Sequence, residues 1–218
     1  LPAEILVILR KIEARGSFEL TSKIHQRIRA VFSFAIIESM VTNNPATDLK
    51  PALKKYKSRN HSHVSIDEYP GLLKKIDDYD GHPTTKHALQ LMSLVYIRTG
   101  ELRTLKWCDI DWKKKLIDIP PERMKMDQPH IVPLSNQSIN TLKAQKKYSG
   151  HSDYIFPQQN YSHKVMSENT LLKALERMGY RGRMTGHGFR HIASTQLNEM
   201  GFRADLIEKQ LAHGDKDQ

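Results

Sequence analysis

Cysteine is nearly absent: Cys108 is the single one in 218 residues. That excludes an intramolecular disulfide and a cysteine-built zinc cluster, and it suits a reducing cytoplasm. Cys108 follows Trp107 on an apolar stretch, which predicts a small core residue. Aromatic residues make up only 7% of the chain. No strand pattern alternates them with polar residues, which argues against a base-stacking RNA platform. No apolar run approaches the ~18 residues of a membrane span. The chain opens with no basic segment leading into an apolar one, so no signal peptide is read there. It begins with Leu1 rather than Met, as expected for a segment of a longer chain.

Negative charge is also scarce. Asp and Glu number 24 against 34 Lys and Arg, a formal net charge of +10. That balance favours a polyanionic partner, with nucleic acid ahead of an anionic membrane. Hydrophobic content of 39% and charged content of 27% fit a soluble globular protein. The length allows one large or two small domains with a real core.

Ile5, Ile8, Leu9 and Ile12 fall at helical spacing between Pro2 and Gly16. A longer helix follows, with Ile24, Ile28, Val31, Phe32, Ala35, Ile36 and Met40 on one face, and Asn43-Asn44-Pro45 ends it. Two helices are a thin core, so this reads as a partial helical domain over residues 1–53. Residues 54–64 are polar, basic and aperiodic, which predicts a linker. Its Lys54, Lys55, Lys57 and Arg59 are candidate DNA contacts that follow phosphates without reading bases. From residue 65 the pattern is that of a larger domain reaching 218. Ser65-Ile66-Asp67-Glu68 has capping-box spacing ahead of Leu72, Leu73 and Ile76. Another helix runs through Leu89, Met92, Val95 and Tyr96. Leu116-Ile117-Asp118-Ile119 and His130-Ile131-Val132-Pro133-Leu134 predict two short strands. Helices are expected over 139–147, 168–178, 187–199 and 204–211. The fold class expected is mainly α with a small antiparallel β-sheet, an α+β arrangement.

Three separated segments carry the chemistry. Arg98 lies at a predicted helix end in Tyr96-Ile97-Arg98-Thr99-Gly100-Glu101-Leu102. A guanidinium there can grip two phosphate oxygens at once, with Glu101 to fix it or to cap the next helix. Gly186-His187-Gly188-Phe189-Arg190-His191 places His187 and Arg190 three apart on one helix face, at a helix N-terminus suited to phosphate. His213 follows in Leu211-Ala212-His213-Gly214. Lys125 sits in the turn between the two predicted strands, with Arg123 as a competing cation. His187 and His191 also have the four-residue spacing of a zinc helix. The general-base Glu expected after the first His is Gly188 here, and no third ligand is evident, so no metal is expected.

In that order and spacing, these residues resemble the active site of tyrosine recombinases, the phage-integrase family. The match covers the chain from about Ser65 onward, and the stretch from Arg123 to Ser135 looks most like integrases of prophages and genomic islands. The N-terminal helices resemble the core-site-binding domain of those enzymes. The resemblance implies a recombinase-type catalytic domain in which Arg98, Lys125, His187, Arg190 and His213 are catalytic and Glu101 supports Arg98. It implies cleavage and rejoining of DNA through a 3′-phosphotyrosyl intermediate, without cofactor, metal or ATP. The partners implied are double-stranded DNA at attachment sites, sister protomers in a tetramer and a directionality factor, in the bacterial cytoplasm at the nucleoid. In the family the nucleophilic tyrosine follows the last His. None of the eight tyrosines here follows His213, so the expectation is a chain that ends before its nucleophile and binds DNA without cutting it. A non-catalytic DNA-binding protein, a decayed integrase or a repressor, is the competing reading.

Overall fold

The computed structural model describes residues 1–55, 62–124 and 127–212. Lys57 and Arg59 of the basic stretch, Lys125 and His213 lie outside the described residues. The chain divides into two compact units, Leu1–Asn60 and His61–Gln218.

In the first unit, α1 (Pro2–Glu13) and α2 (Phe18–Ile37) pack together through their apolar stripes. Gly16, at φ 74, makes the turn between them. The core is small: Leu9, Ala46 and Leu49, flanked by Ile5, Leu6, Ile24, Ile28 and Leu53. His25 is buried and bonds the Ala46 carbonyl at 2.8 Å, joining α2 to the segment beyond it. The apolar face expected on α2 is only half used. Ile24 and Ile28 face the core, while Val31, Ile36 and Met40 are exposed. The periodicity was a correct sign of helix, but this unit's core reaches only the first half of that face.

The second unit is built around α4 (Pro83–Val95), whose Ala88, Leu89, Leu91, Met92 and Val95 are buried. Around it lie α3 (Tyr69–Asp77), α5 (Thr99–Thr104), α6 (Asn136–Ser149), α7 (Asn169–Leu175) and α8 (Gly186–Glu199). The short α9 (Ala204–Gln210) packs on α8. Strands β1 (Ile110–Asp111), β2 (Leu116–Ile119) and β3 (His130–Pro133) form an antiparallel sheet in that order, with Ile117 opposite Val132 and Ile119 opposite His130. Strands β4 (Pro157–Gln158) and β5 (Tyr161–Val165) make a separate hairpin. The architecture is the mainly helical α+β arrangement expected.

Three local readings need correction. The capping pair at Ser65 and Glu68 forms in both directions, yet regular helix starts only at Tyr69, with Pro70 in its first turn. Strands β1, β4 and β5 have no counterpart in the sequence pattern, because two-residue strands and an exposed polar hairpin carry almost no alternation signal. Cys108 is exposed rather than in the core. It sits in the tight turn Trp107–Asp109, where the buried residue is instead Asp109, paired with Arg123.

Candidate active site

Two backbone features deliver the first arginine. Tyr96 ends α4 in the left-handed region, at φ 56, which turns the chain sharply. Ile97 then buries completely, and Arg98 becomes the N-cap of α5. Glu101 answers it from three residues on. One carboxylate oxygen accepts from the Arg98 main-chain N–H at 2.8 Å and the other from Nη1 at 2.7 Å. The Arg-x-x-Glu spacing is therefore a capping device and a side-chain brace at once. Glu101 is buried, while the Arg98 side chain keeps 22% of its surface open.

The second arginine comes from α8. Thr185 caps that helix, its hydroxyl accepting from the Gly188 N–H at 3.2 Å. Gly188 lets the chain pass close by: a Cβ there would lie 2.8 Å from Met184 Sδ and 2.9 Å from the Ser62 carbonyl oxygen. Phe189 anchors the helix in the core, fully buried. Arg190 is itself buried, with Nη1 donating to the Tyr96 carbonyl at 2.6 Å and Nη2 to the Leu211 carbonyl. Burial and the neighbouring Arg98 charge pull its pKa down to about 10. It still carries its charge at neutral pH. Two guanidinium groups held close in a partly desolvated site form an arrangement that an anion would relieve.

The structure thus brings Arg98, Glu101 and Arg190 together. His187 is exposed in the first turn of the same helix as Arg190. Arg123, the competing cation near Lys125, is occupied elsewhere. It pairs with buried Asp109 and donates to the Thr104 carbonyl at 2.8 Å, so it acts as a brace. Lys54 and Lys55 belong to the first unit, where the Lys54 ammonium lies 5.5 Å from the centre of the Phe18 ring. Among the described residues, no group of His, Cys, Asp and Glu could hold a metal ion, and no helix is long and apolar enough to cross a membrane.

One residue of this centre shows in the sequence only as part of a strand. His130, at the start of β3, is 4% exposed, and its Nε2 lies 3.1 Å from the Gln210 carbonyl. Burial holds its pKa below 6.5, helped by Arg190 and Arg98 and opposed by Glu101 and the Gln210 bond. A carbonyl can only accept, so the neutral ring carries its proton on Nε2. The available signal was the strand's alternation, which puts His130 on the inward face with Val132.

Residues 62–218 match the phage integrase family, and residues 1–52 match the phage integrase central domain. The chain is 40% identical over 211 residues to prophage integrase IntZ of Escherichia coli K12, covering 96% of this chain and 52% of that protein. To the integrase of Enterobacteria phage P4 it is 34% identical over 229 residues, covering 98% of this chain and 52% of the other. It therefore spans about half the length of these curated relatives. In three dimensions it resembles lambda integrase in a tetramer bound to a Holliday junction. The TM-score is 0.74 at 19% identity, over all of this chain and 62% of that one. With matched segments that take in nearly every residue, the chain belongs to the phage integrase family.

Proposed function

We propose that this chain is the core-site-binding and catalytic portion of a site-specific DNA recombinase that integrates or excises a mobile element. The observation that carries the reading is the convergence of Arg98 and Arg190 at one partly open centre, braced by Glu101 and by main-chain carbonyls. Each guanidinium retains further N–H donors beyond those it spends on the protein. Together they suit the two non-bridging oxygens of a phosphodiester, whose negative charge grows at the transition state.

In this reading a tyrosine oxygen attacks phosphorus, a 3′-phosphotyrosyl bond forms and the bond to the 5′ oxygen breaks. Lys125 gives the departing oxygen its proton. His187 exchanges a proton or hydrogen-bonds beside the phosphate, and His213 donates to a phosphate oxygen. Attack by a 5′-hydroxyl on the phosphotyrosine reverses the step, so the bond energy is conserved. Residues 1–53 bind the core site, and Lys54, Lys55, Lys57 and Arg59 of the basic stretch follow its phosphates. Lambda integrase as a tetramer on a Holliday junction supports assembly into a DNA-bound tetramer. A directionality factor and a nucleoid location belong to the same proposal.

None of the eight tyrosines follows His213, and three of those described are poor candidates for the nucleophile. Burial raises the phenol pKa of both Tyr69 and Tyr96, and the Tyr180 ring is engaged by the Lys75 ammonium at 5.2 Å and the Arg183 guanidinium at 5.6 Å from its centre. We therefore propose that these 218 residues bind DNA without cleaving it. The test is relaxation of supercoiled plasmid in chelator, without ATP, by the complete product of the gene beside this chain alone. Relaxation by the complete product, lost in Arg190→Ala, supports the tyrosine mechanism. Relaxation by the 218 residues alone overturns the non-cleaving proposal. Salt-sensitive binding without relaxation by either favours a non-catalytic DNA binder.

A further inference from the structure

Three consecutive main-chain carbonyls at the end of α9 are each taken by a different side chain. Arg98 Nη2 donates to Ala212 at 2.8 Å, and Arg190 Nη2 donates to Leu211. His130 Nε2 bonds Gln210 at 3.1 Å. Gln210 in turn donates its side-chain amide to the Val95 carbonyl at 3.1 Å. The end of α9 is thus tied to β3, to α8 and to the turn that follows α4.

A helix leaves its last carbonyls without intrahelical partners, and a seven-residue helix such as α9 has little stability of its own. What fixes its end must come from outside. The two arginines have a second task, since their remaining N–H groups must hold an incoming phosphate. His130 has no such second demand. It sits on a paired strand opposite Ile119, it is buried, and its Nδ1 has no hydrogen-bond partner among the described residues. The charged groups that face it are Glu101, Arg98 and Arg190.

We propose that His130 is a positioning residue of the phosphate site. Its Nε2–H pins the Gln210 carbonyl, and with it residues 210–212, as the template on which Arg98 and Arg190 are oriented. This rests on the reading of the two arginines as a DNA phosphate clamp. The arginines can then hold a phosphate oxygen with their remaining N–H groups while residues 210–212 keep them aligned. The cost of losing His130 falls on the geometry of the arginines rather than on any contact of its own with DNA.

The test uses the 218-residue chain and a short blunt-ended DNA duplex of arbitrary sequence, with affinity measured against salt. Arg98→Ala and Arg190→Ala are expected to weaken binding and to reduce the salt slope by about one per lost phosphate contact. If neither does, the phosphate-clamp reading fails. Given that both do, His130→Leu is expected to weaken binding about tenfold and to flatten the slope. His130→Gln, whose amide can reach the same carbonyl, is expected to restore both. A salt slope unchanged in His130→Leu overturns the proposal, since a purely structural role would leave the phosphate contacts intact. Should His130→Leu fail to fold, nitrogen-15 NMR of the wild-type imidazole decides. A ring protonated on Nε2 and shielded from exchange supports the proposal, and one protonated on Nδ1 overturns it.

Discussion

Arg190 donates from Nη1 to the carbonyl of Tyr96 at 2.6 Å, so the helix carrying one arginine holds the left-handed turn that presents the other. The same guanidinium reaches Leu211 with its second nitrogen. A lysine keeps the charge but cannot span two carbonyls in one plane and still face a phosphate. Arg190→Lys is expected to fold, to bind duplex DNA about tenfold more weakly, and to slow cleavage by the complete gene product by about 10²–10³-fold. Wild-type cleavage by Arg190→Lys would show that charge alone suffices.

Ala212 occupies the left-handed region, at φ 45, two residues past the end of α9. Glycine is the residue that accepts this conformation without cost, and an L-residue there costs about 1 kcal/mol. Ala212→Gly is expected to stabilise the second unit by up to that amount. Both tryptophans, Trp107 and Trp112, lie in this unit, so urea unfolding followed by their fluorescence reads the change directly. A loss of stability would mean that added backbone freedom in the unfolded chain outweighs the strain relieved.

Gly188 and Gly100 make opposite predictions. A Cβ on Gly188 meets the Ser62 main-chain oxygen at 2.9 Å, whereas one on Gly100 meets nothing within 4 Å. Gly188→Ala must push the chain away from the start of α8, and a loss of about 1–3 kcal/mol is expected. Gly100→Ala lies within α5 and should gain about 0.5–1 kcal/mol. The same fluorescence assay checks both, and equal effects would remove the steric argument.

Burial is the first cause that lowers the pKa of His87, His130 and His191 below 6.5. The unfolded chain takes up these protons as pH falls through about 6.5, while the native state resists until lower pH. Stability is therefore fully present above 6.5 and is lost as the pH falls towards the lowered native values. Urea midpoints measured from pH 7.5 down to pH 5 should fall. His130→Gln should make that fall shallower, and an unchanged profile would show that His130 contributes nothing to it.

Much of this protein was legible because it is local. The spacing of Leu89, Met92 and Val95 reads as a helix wherever it lies, and alternation alone turns His130 and Val132 inward. The pairing of Arg98 with Glu101 needs only one turn of helix. The order of Arg98, Lys125, His187, Arg190 and His213 along the chain carries the family resemblance without any contact. What stayed hidden spans distance along the chain: Arg98 to Ala212 across 114 residues, His130 to Gln210 across 80, Arg190 to Tyr96 across 94. Periodicity reports which face of an element is apolar, but not which element covers it. That is why Arg123 proved to be a brace for Asp109, Cys108 came out exposed, and His130 joined the arginines. For Arg123 and His130 the outcome follows from tertiary packing, in which buried polar groups must find partners wherever the fold brings them.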